Sequence, residues 1–343
     1  MPTTIIQPGA TIFVTGVNGL IGSHVADQLL KLGYNVRGAV RDVEKNKWVS
    51  EYFDKHYKDS KFELVSVPDL AVEGCFDEGL KGASAFIHVA SPLGWEGSDN
   101  PTAYIRNAVD VYLNALKAAS KQPSVKRVVA TSSSLAASYP SINVEKVLDQ
   151  TTYNEQGVAD GTTTPPGHPM GLYIAIKVAT EKACWDWIKE NNPHFTFNTI
   201  LPYANFGKLV VPEKQGSPST IEWVKVPFEN NVEVFSYLST GLKPQWFIST
   251  QDCALLHIAA AIYAEVSSER IFGYAEQWDF NKLLAIMREA YPDRKFPDDI
   301  SIDGPDMVKP PRERAEEVLR WIKGGKGWDG LEESVKELIA QWA

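Results

Sequence analysis

Sulfur and imidazole chemistry has little to work with in this chain. The three cysteines, Cys75, Cys184 and Cys253, are odd in number and widely separated. They offer no disulfide framework and no Cys-x-x-Cys site, a usage that suits a reducing compartment. The histidines (His24, His56, His88, His168, His194 and His257) show no His-x-x-x-His or mixed Cys/His spacing. A metal site is therefore not expected, because metals need clustered ligands. No stretch approaches the roughly 20 apolar residues that span a bilayer. The N-terminal Met1-Pro-Thr-Thr-Ile-Ile-Gln-Pro8 lacks a basic flank before a long apolar run. No secretory signal is expected, and cytoplasmic residence is the default. Basic charge is short too: 34 Lys and Arg against 43 Asp and Glu give a net charge of -9. A phosphate backbone attracts a basic surface, so a nucleic-acid partner is not expected, although local basic residues could still bind a small phosphorylated ligand.

What is present is an alternation. Thr11–Thr15, Tyr34–Val40, Phe62–Val67, Ala85–Ala90 and Val125–Thr131 are short apolar runs that predict buried strands. Between them lie helical patterns over Gly19–Leu32, Glu44–Lys58, Cys75–Leu80 and Tyr104–Ser120. Strands alternating with helices imply a parallel sheet covered on both faces. After Ser138 the rhythm breaks, and residues 149–169, rich in Thr, Gly and Pro, predict a surface loop. Met170–Glu190 is expected to be a helix and Phe195–Leu201 a strand returning to the sheet. The first 202 residues are expected to be mainly a nucleotide-binding domain. Residues 203–343 are expected to form mainly a smaller substrate lobe, with some segments returning to the first. In that part Ser249–Ala264, Asp279–Ala290 and Leu331–Ala343 carry helical patterns.

The first strand runs into Thr15-Gly16-Val17-Asn18-Gly19-Leu20-Ile21-Gly22, followed by a helix. Glycines at this spacing permit a tight turn, close approach of backbone to a pyrophosphate, and close packing of helix on strand. The helix N-terminus adds unsatisfied N–H groups. An acidic residue about 20 positions on would favour NAD. Here that position is Val40, followed by Arg41, with Arg37 three residues before it on the same strand. Two guanidiniums suit a ribose 2′-phosphate and predict NADP, although Asp42 follows directly. Asp69, next to Leu70 at the end of strand three, could bond the adenine amine or cap the following helix. Val89, Ala90 and Ser91 end strand four on the ligand side of such a sheet.

Strand five ends in Thr131-Ser132-Ser133-Ser134. A hydroxyl there could hold a carbonyl oxygen, although serines at strand ends also bond local backbone. Tyr173 and Lys177 stand four residues apart, which places them on one helix face with Cβ atoms about 5–6 Å apart. An ammonium so close favours the phenolate and predicts a phenol usable as a proton donor and acceptor near neutral pH.

Together these residues resemble the extended branch of the short-chain dehydrogenase/reductase superfamily. The glycine motif, the Ala-Ser-Pro after strand four, the Thr-Ser-Ser and the Tyr-x-x-x-Lys occur in the family's order. The likeness continues through Pro193–Asn198, Ile200-Leu-Pro202, Pro244-Gln-Trp246 and Gly327-Trp328. It is nearest to fungal NADPH-dependent aldehyde and ketone reductases, near the dihydroflavonol reductases. The resemblance implies a Rossmann-type doubly wound α/β fold with a smaller, mainly C-terminal lobe. It also implies NADPH as cofactor, a small carbonyl substrate, and a monomer or homodimer. By it Ser133, Tyr173 and Lys177 match the catalytic triad. Gly16, Asn18, Gly19, Leu20, Ile21, Gly22, Arg37, Arg41, Asp69, Leu70, Val89, Ala90, Ser91 and Pro202 would meet the cofactor, with Tyr173 and Lys177. Trp95, Leu135, Tyr203, Gln245 and Trp246 are expected around the substrate, and such aromatic walls suit an apolar or aryl ketone or aldehyde, keto esters included. One departure is Val111-Tyr-Leu-Asn114, where relatives tend to carry Gly-Thr-Leu-Asn; the larger residue is expected to shift that helix against the sheet. Sugar-nucleotide epimerases or dehydratases and hydroxysteroid dehydrogenases share the triad and are the rival enzyme readings. A non-catalytic NADP-sensing protein is the third.

Overall fold

The computed structural model describes residues 2–91, 100–163 and 170–343. Its strands are β1 (Thr11–Thr15), β2 (Asn35–Val40), β3 (Phe62–Ser66), β4 (Ala85–His88), β5 (Arg127–Thr131) and β6 (Lys146–Val147), followed by β7 (Thr196–Pro202), β8 (Ala204–Phe206), β9 (Gln245–Ser249), β10 (Arg270–Gly273), β11 (Glu276–Trp278) and β12 (Val308–Lys309). Seven of them form one sheet in the order β10-β7-β5-β4-β1-β2-β3, parallel throughout. Every residue of β4 and β5 is buried, as their near-continuous apolar runs require of strands covered on both faces. Chain order reverses between β1 and β4, and that switch point opens a crevice at the strands' carboxyl ends. The fold is the expected Rossmann-type sheet. β11 and β8 flank β9 in a three-stranded sheet, and β12 pairs with β6.

The early helices are α1 (Leu20–Lys31), α2 (Lys47–His56), α3 (Asp77–Leu80), α4 (Pro101–Ser120), α5 (Glu155–Thr162) and α6 (Gly171–Asn191). The Asn100 side chain caps α4 by accepting from the Ala103 amide, with Pro101 in the first turn, where a missing N–H costs nothing. Residues 149–169 are not all loop. The Asn154 side chain accepts from the Gly157 amide and starts α5. Added Cβ atoms at Gly157 and Gly161 would lie 2.2 Å from Ile174 and from the Gly171 carbonyl oxygen. The glycines that suggested a loop are instead what lets α5 lie against α6.

Beyond β7 the chain does two things. β10 and the helix Thr250–Ile262 belong with the main sheet: β10 pairs with β7, and the helix, buried on nearly every side, packs in the same core as α1 and β1. A helix apolar all round is one that lies inside. Much of the rest builds a second core around Phe206, Phe247, Trp278 and Phe280. The helix Glu313–Ile322, which the sequence reading leaves unassigned, buries Ala315, Val318 and Leu319 against the first core. Among the described residues no helix is long and apolar enough to cross a membrane.

Candidate active site

The turn after β1 is shaped by close approach. Gly16 has φ of 72°, in the left-handed region that glycine enters freely. A Cβ at Gly22 would stand 2.1 Å from the Gly16 carbonyl oxygen, so only glycine lets α1 start there. No side chain caps α1 and its first turn holds no acidic residue, which leaves its N–H groups directed at the crevice. A cavity of about 420 Å³ follows, lined by Thr15, Gly16, Asn18, Val40, Arg41, Lys45, Leu70, Ala90 and Ser91 among others. A cradle lined by Gly16 beside an uncapped helix start fits a dinucleotide. Gly19 supports the turn by donating from its amide to Gly16, Ile21 and Val89 face a neighbouring cavity, and Leu20 is buried in the second core.

The basic end of this cavity differs from the expected one. Arg37 is not there. Its guanidinium pairs with Glu63 on β3 at 2.6 Å and donates to the Gly79 and Lys81 carbonyls. Mid-strand residues point at neighbouring elements; only the strand's end faces the ligand. Arg41 does line the cavity, and so does Lys45, which the sequence reading missed although it lies in the same basic segment. Asp42 accepts from the Lys45 amide at 3.1 Å. Its carboxylate stands 3.7 Å from the Lys45 ammonium. Asp69 accepts from the Ala71 amide at 2.9 Å and is a turn former outside the cavity wall, while its neighbour Leu70 lines it.

Ser91 lines both this cavity and a second one of about 240 Å³. Around the second lie Ser133, Tyr173 and Lys177, brought from β5 and α6, with Pro202 ending β7. Ser133 Oγ accepts from the Leu135 amide at 3.2 Å, which leaves its hydroxyl proton to donate elsewhere. Ser132 also touches this space but donates its hydroxyl to Glu181 at 2.8 Å. The Ser132 hydroxyl is thus committed to Glu181, while Ser133 Oγ acts as an acceptor.

Lys177 Nζ lies 5.9 Å from the centre of the Tyr173 ring. It donates to Tyr112 Oη and to the Thr131 carbonyl, both at 3.1 Å. Burial lowers its pKa, but Tyr112, then Tyr173, and then Glu181 outweigh this, so that the net direction is upward and the ammonium persists. Beneath it His88 Nδ1 bonds Thr15 Oγ1 at 2.9 Å. That oxygen already accepts from the Val89 and Ala90 amides, so it donates to a neutral imidazole. Burial, then Lys177, pushes His88 down to about 3. His257 bonds Thr131 Oγ1 at 2.8 Å and is lowered by burial to about 4.

Both imidazoles are depressed in the fold, so the unfolded chain binds their protons first. Their contribution is full above the ordinary histidine pKa and is lost as pH falls. Between pH 7 and pH 5 stability should drop by roughly 2–4 kcal/mol through these two groups. Urea titrations at the two pH values check this, and equal midpoints would contradict it.

The second cavity is walled by Leu135, Tyr203 and Gln245, as expected, and by Met170, Asn205, Thr220 and Trp223, which no spacing announced. Trp246 is not among them. Side chains alternate along β9, so Gln245 faces the cavity while Trp246 packs against Tyr274 and the Arg312 guanidinium. Trp95 lies outside the described residues. Among the described residues no group of three or more His, Cys, Asp or Glu could hold a metal ion.

A switch-point cradle beside a Ser, Tyr and Lys cavity defines a dinucleotide-dependent enzyme of the short-chain dehydrogenase type. The family model "NAD dependent epimerase/dehydratase family" matches residues 12–266. Aldehyde reductase 2 of Sporidiobolus salmonicolor is 36% identical over 339 residues, covering 98% of this chain and 96% of that protein. Ketoreductase adrE of Penicillium rubens is 38% identical over 348 residues, covering 98% of each. The crystal structure of Gre2 in complex with NADPH from Candida albicans superposes with a TM-score of 0.81 at 26% identity, covering 97% of this chain and 98% of that one. The chain belongs to the NAD dependent epimerase/dehydratase family, in its extended short-chain dehydrogenase/reductase branch, and is an oxidoreductase.

Proposed function

We propose that this enzyme reduces the carbonyl of an apolar or aryl aldehyde or ketone, keto esters included, with Tyr173 as the proton donor. The observation that carries this is the convergence of Ser133, Tyr173 and Lys177 on one cavity that meets the nucleotide cradle at Ser91. The cofactor is NADPH, which supplies a hydride when bound. Arg41, Asp42 and Lys45 all border the cradle, and Asp42 pairs with Lys45 at 3.7 Å, so the charge of Arg41 is left over for a 2′-phosphate. Ser133 donates its hydroxyl to the carbonyl oxygen and fixes it beside Tyr173. Tyr173 then gives its phenolic proton to the oxygen as charge develops there. Lys177, buried and charged, stabilises the tyrosine as the proton leaves. Leu135, Met170, Tyr203 and Trp223 supply the apolar walls. The aldehyde reductase and ketoreductase names of the relatives support the same direction of use.

A panel of aryl and aliphatic aldehydes, ketones and keto esters, run with NADPH and with NADH, tests this. Alcohol formation with NADPH is expected. Tightly retained NAD with no reduction of any carbonyl would instead favour an epimerase. The cradle gives a second test. Arg41→Ala with Lys45→Ala should raise the NADPH KM by about 30-fold or more, on the order of 2 kcal/mol, and leave that for NADH within about threefold. Equal losses for both cofactors would remove the 2′-phosphate from this end of the cradle.

A further inference from the structure

Tyr112 lies on α4, in a different element from the Ser133, Tyr173 and Lys177 constellation. It is 3% exposed, and its ring meets His88 edge-on at 4.9 Å. Its hydroxyl donates to the Thr131 carbonyl at 3.0 Å, so its lone pairs remain for Lys177 Nζ at 3.1 Å. Lys177 Nζ also donates to that same carbonyl at 3.1 Å, so Tyr112 Oη, Lys177 Nζ and the Thr131 oxygen form a closed triangle. An ammonium has three N–H groups. Two are spent in the triangle, and one is left for Tyr173 and the cavity. Packing alone does not call for this hydroxyl, because phenylalanine would fill the same space against His88. The groups facing Lys177 are Tyr112 from α4, neutral His88 from β4, the Thr131 carbonyl from β5, and Tyr173 and Glu181 from its own helix.

We propose that Tyr112 is a positioning residue for Lys177: its hydroxyl holds two of the three ammonium N–H directions in place, through itself and the Thr131 carbonyl, and so aims the third at Tyr173. The proposal rests on the carbonyl-reductase reading above. The work of the triangle is to keep a flexible lysine pointed one way. Removing the hydroxyl leaves the Thr131 carbonyl as the only fixed partner, and the ammonium then acts less firmly on Tyr173.

Tyr112→Phe keeps the ring and deletes only Oη. It should lower kcat about tenfold, with carbonyl KM within about twofold and NADPH Kd, read by fluorescence titration, within about threefold. Fluorotyrosine placed at position 112 preserves the fold and makes Oη a poorer acceptor; it should lower kcat in the same way by less. If Tyr112→Phe does not fold, the fluorotyrosine protein decides. A kcat that is unchanged, or that falls only together with weaker carbonyl or NADPH binding or with thermal stability, overturns the proposal. A wild type that turns over while both variants match it sinks this proposal alone. A wild type that reduces no carbonyl sinks the functional reading and this inference with it.

Discussion

Tyr173→Phe is expected to keep its fold and its NADPH affinity and to lose carbonyl reduction, with kcat down by about a thousandfold, or roughly 4 kcal/mol of barrier. The loss follows from position. Tyr173 is the half-buried phenol of the second cavity, four residues before a buried lysine and across from Ser133. Phenylalanine keeps the ring that lines the cavity and removes the hydroxyl proposed to hand over a proton there. Lys177 keeps its partners at Tyr112 and Thr131, so it stays in place and the cradle is undisturbed. The separation between chemistry and binding is therefore the test. Single-turnover hydride transfer reports the first and fluorescence titration of NADPH the second. Activity within tenfold of wild type would assign the acid to another group.

Glu181→Ala should cost about 3–5 kcal/mol of stability, the usual range when one partner of a buried pair is removed. Glu181 stands one turn beyond Lys177 on α6, with its side chain 1% exposed. It accepts from Ser132, from Thr199 and twice from Arg270. The guanidinium in turn stacks over Tyr153 at 4.0 Å and donates to the Gln150 and Thr152 carbonyls. Alanine leaves a buried cation and two hydroxyls without their acceptor. Differential scanning calorimetry should show Tm lower by roughly 5–10 °C. Since Ser132 precedes Ser133, part of the activity should be lost before unfolding begins. A variant as stable as wild type would mean that water replaces the carboxylate.

The sheet, the glycine turn and the pairing of Tyr173 with Lys177 were legible because each depends on local pattern. Buried parallel strands need apolar runs, a phosphate turn needs glycines at fixed offsets, and a helix places i and i+4 together. What stayed hidden depends on direction or on distant partners. Arg37 and Arg41 look alike in the sequence, but Arg37 turns to Glu63 while Arg41 reaches the cradle. Trp246 and Gln245 are adjacent, and only strand register tells which one meets the cavity. In the sequence Tyr112 stands out only as part of Val111-Tyr-Leu-Asn114, whereas its hydroxyl meets Lys177, 65 positions away along the chain. Asp69 makes a local turn with Ala71 and does not cap the following helix, α3, which begins only at Asp77.

Part of the wall of the second cavity, Tyr203, Asn205, Thr220, Trp223 and Gln245 among it, comes from the chain after Pro202, whereas Ser133, Tyr173 and Lys177 come from the chain before it. Among the described hydrogen bonds none ties Tyr203, Asn205, Thr220 or Gln245 to those three side chains. Walls and chemistry are thus inherited as separable parts. A duplicated gene could exchange residues at Tyr203, Trp223 or Gln245 and reshape the cavity, generation by generation, while Ser133, Tyr173 and Lys177 stayed as they were.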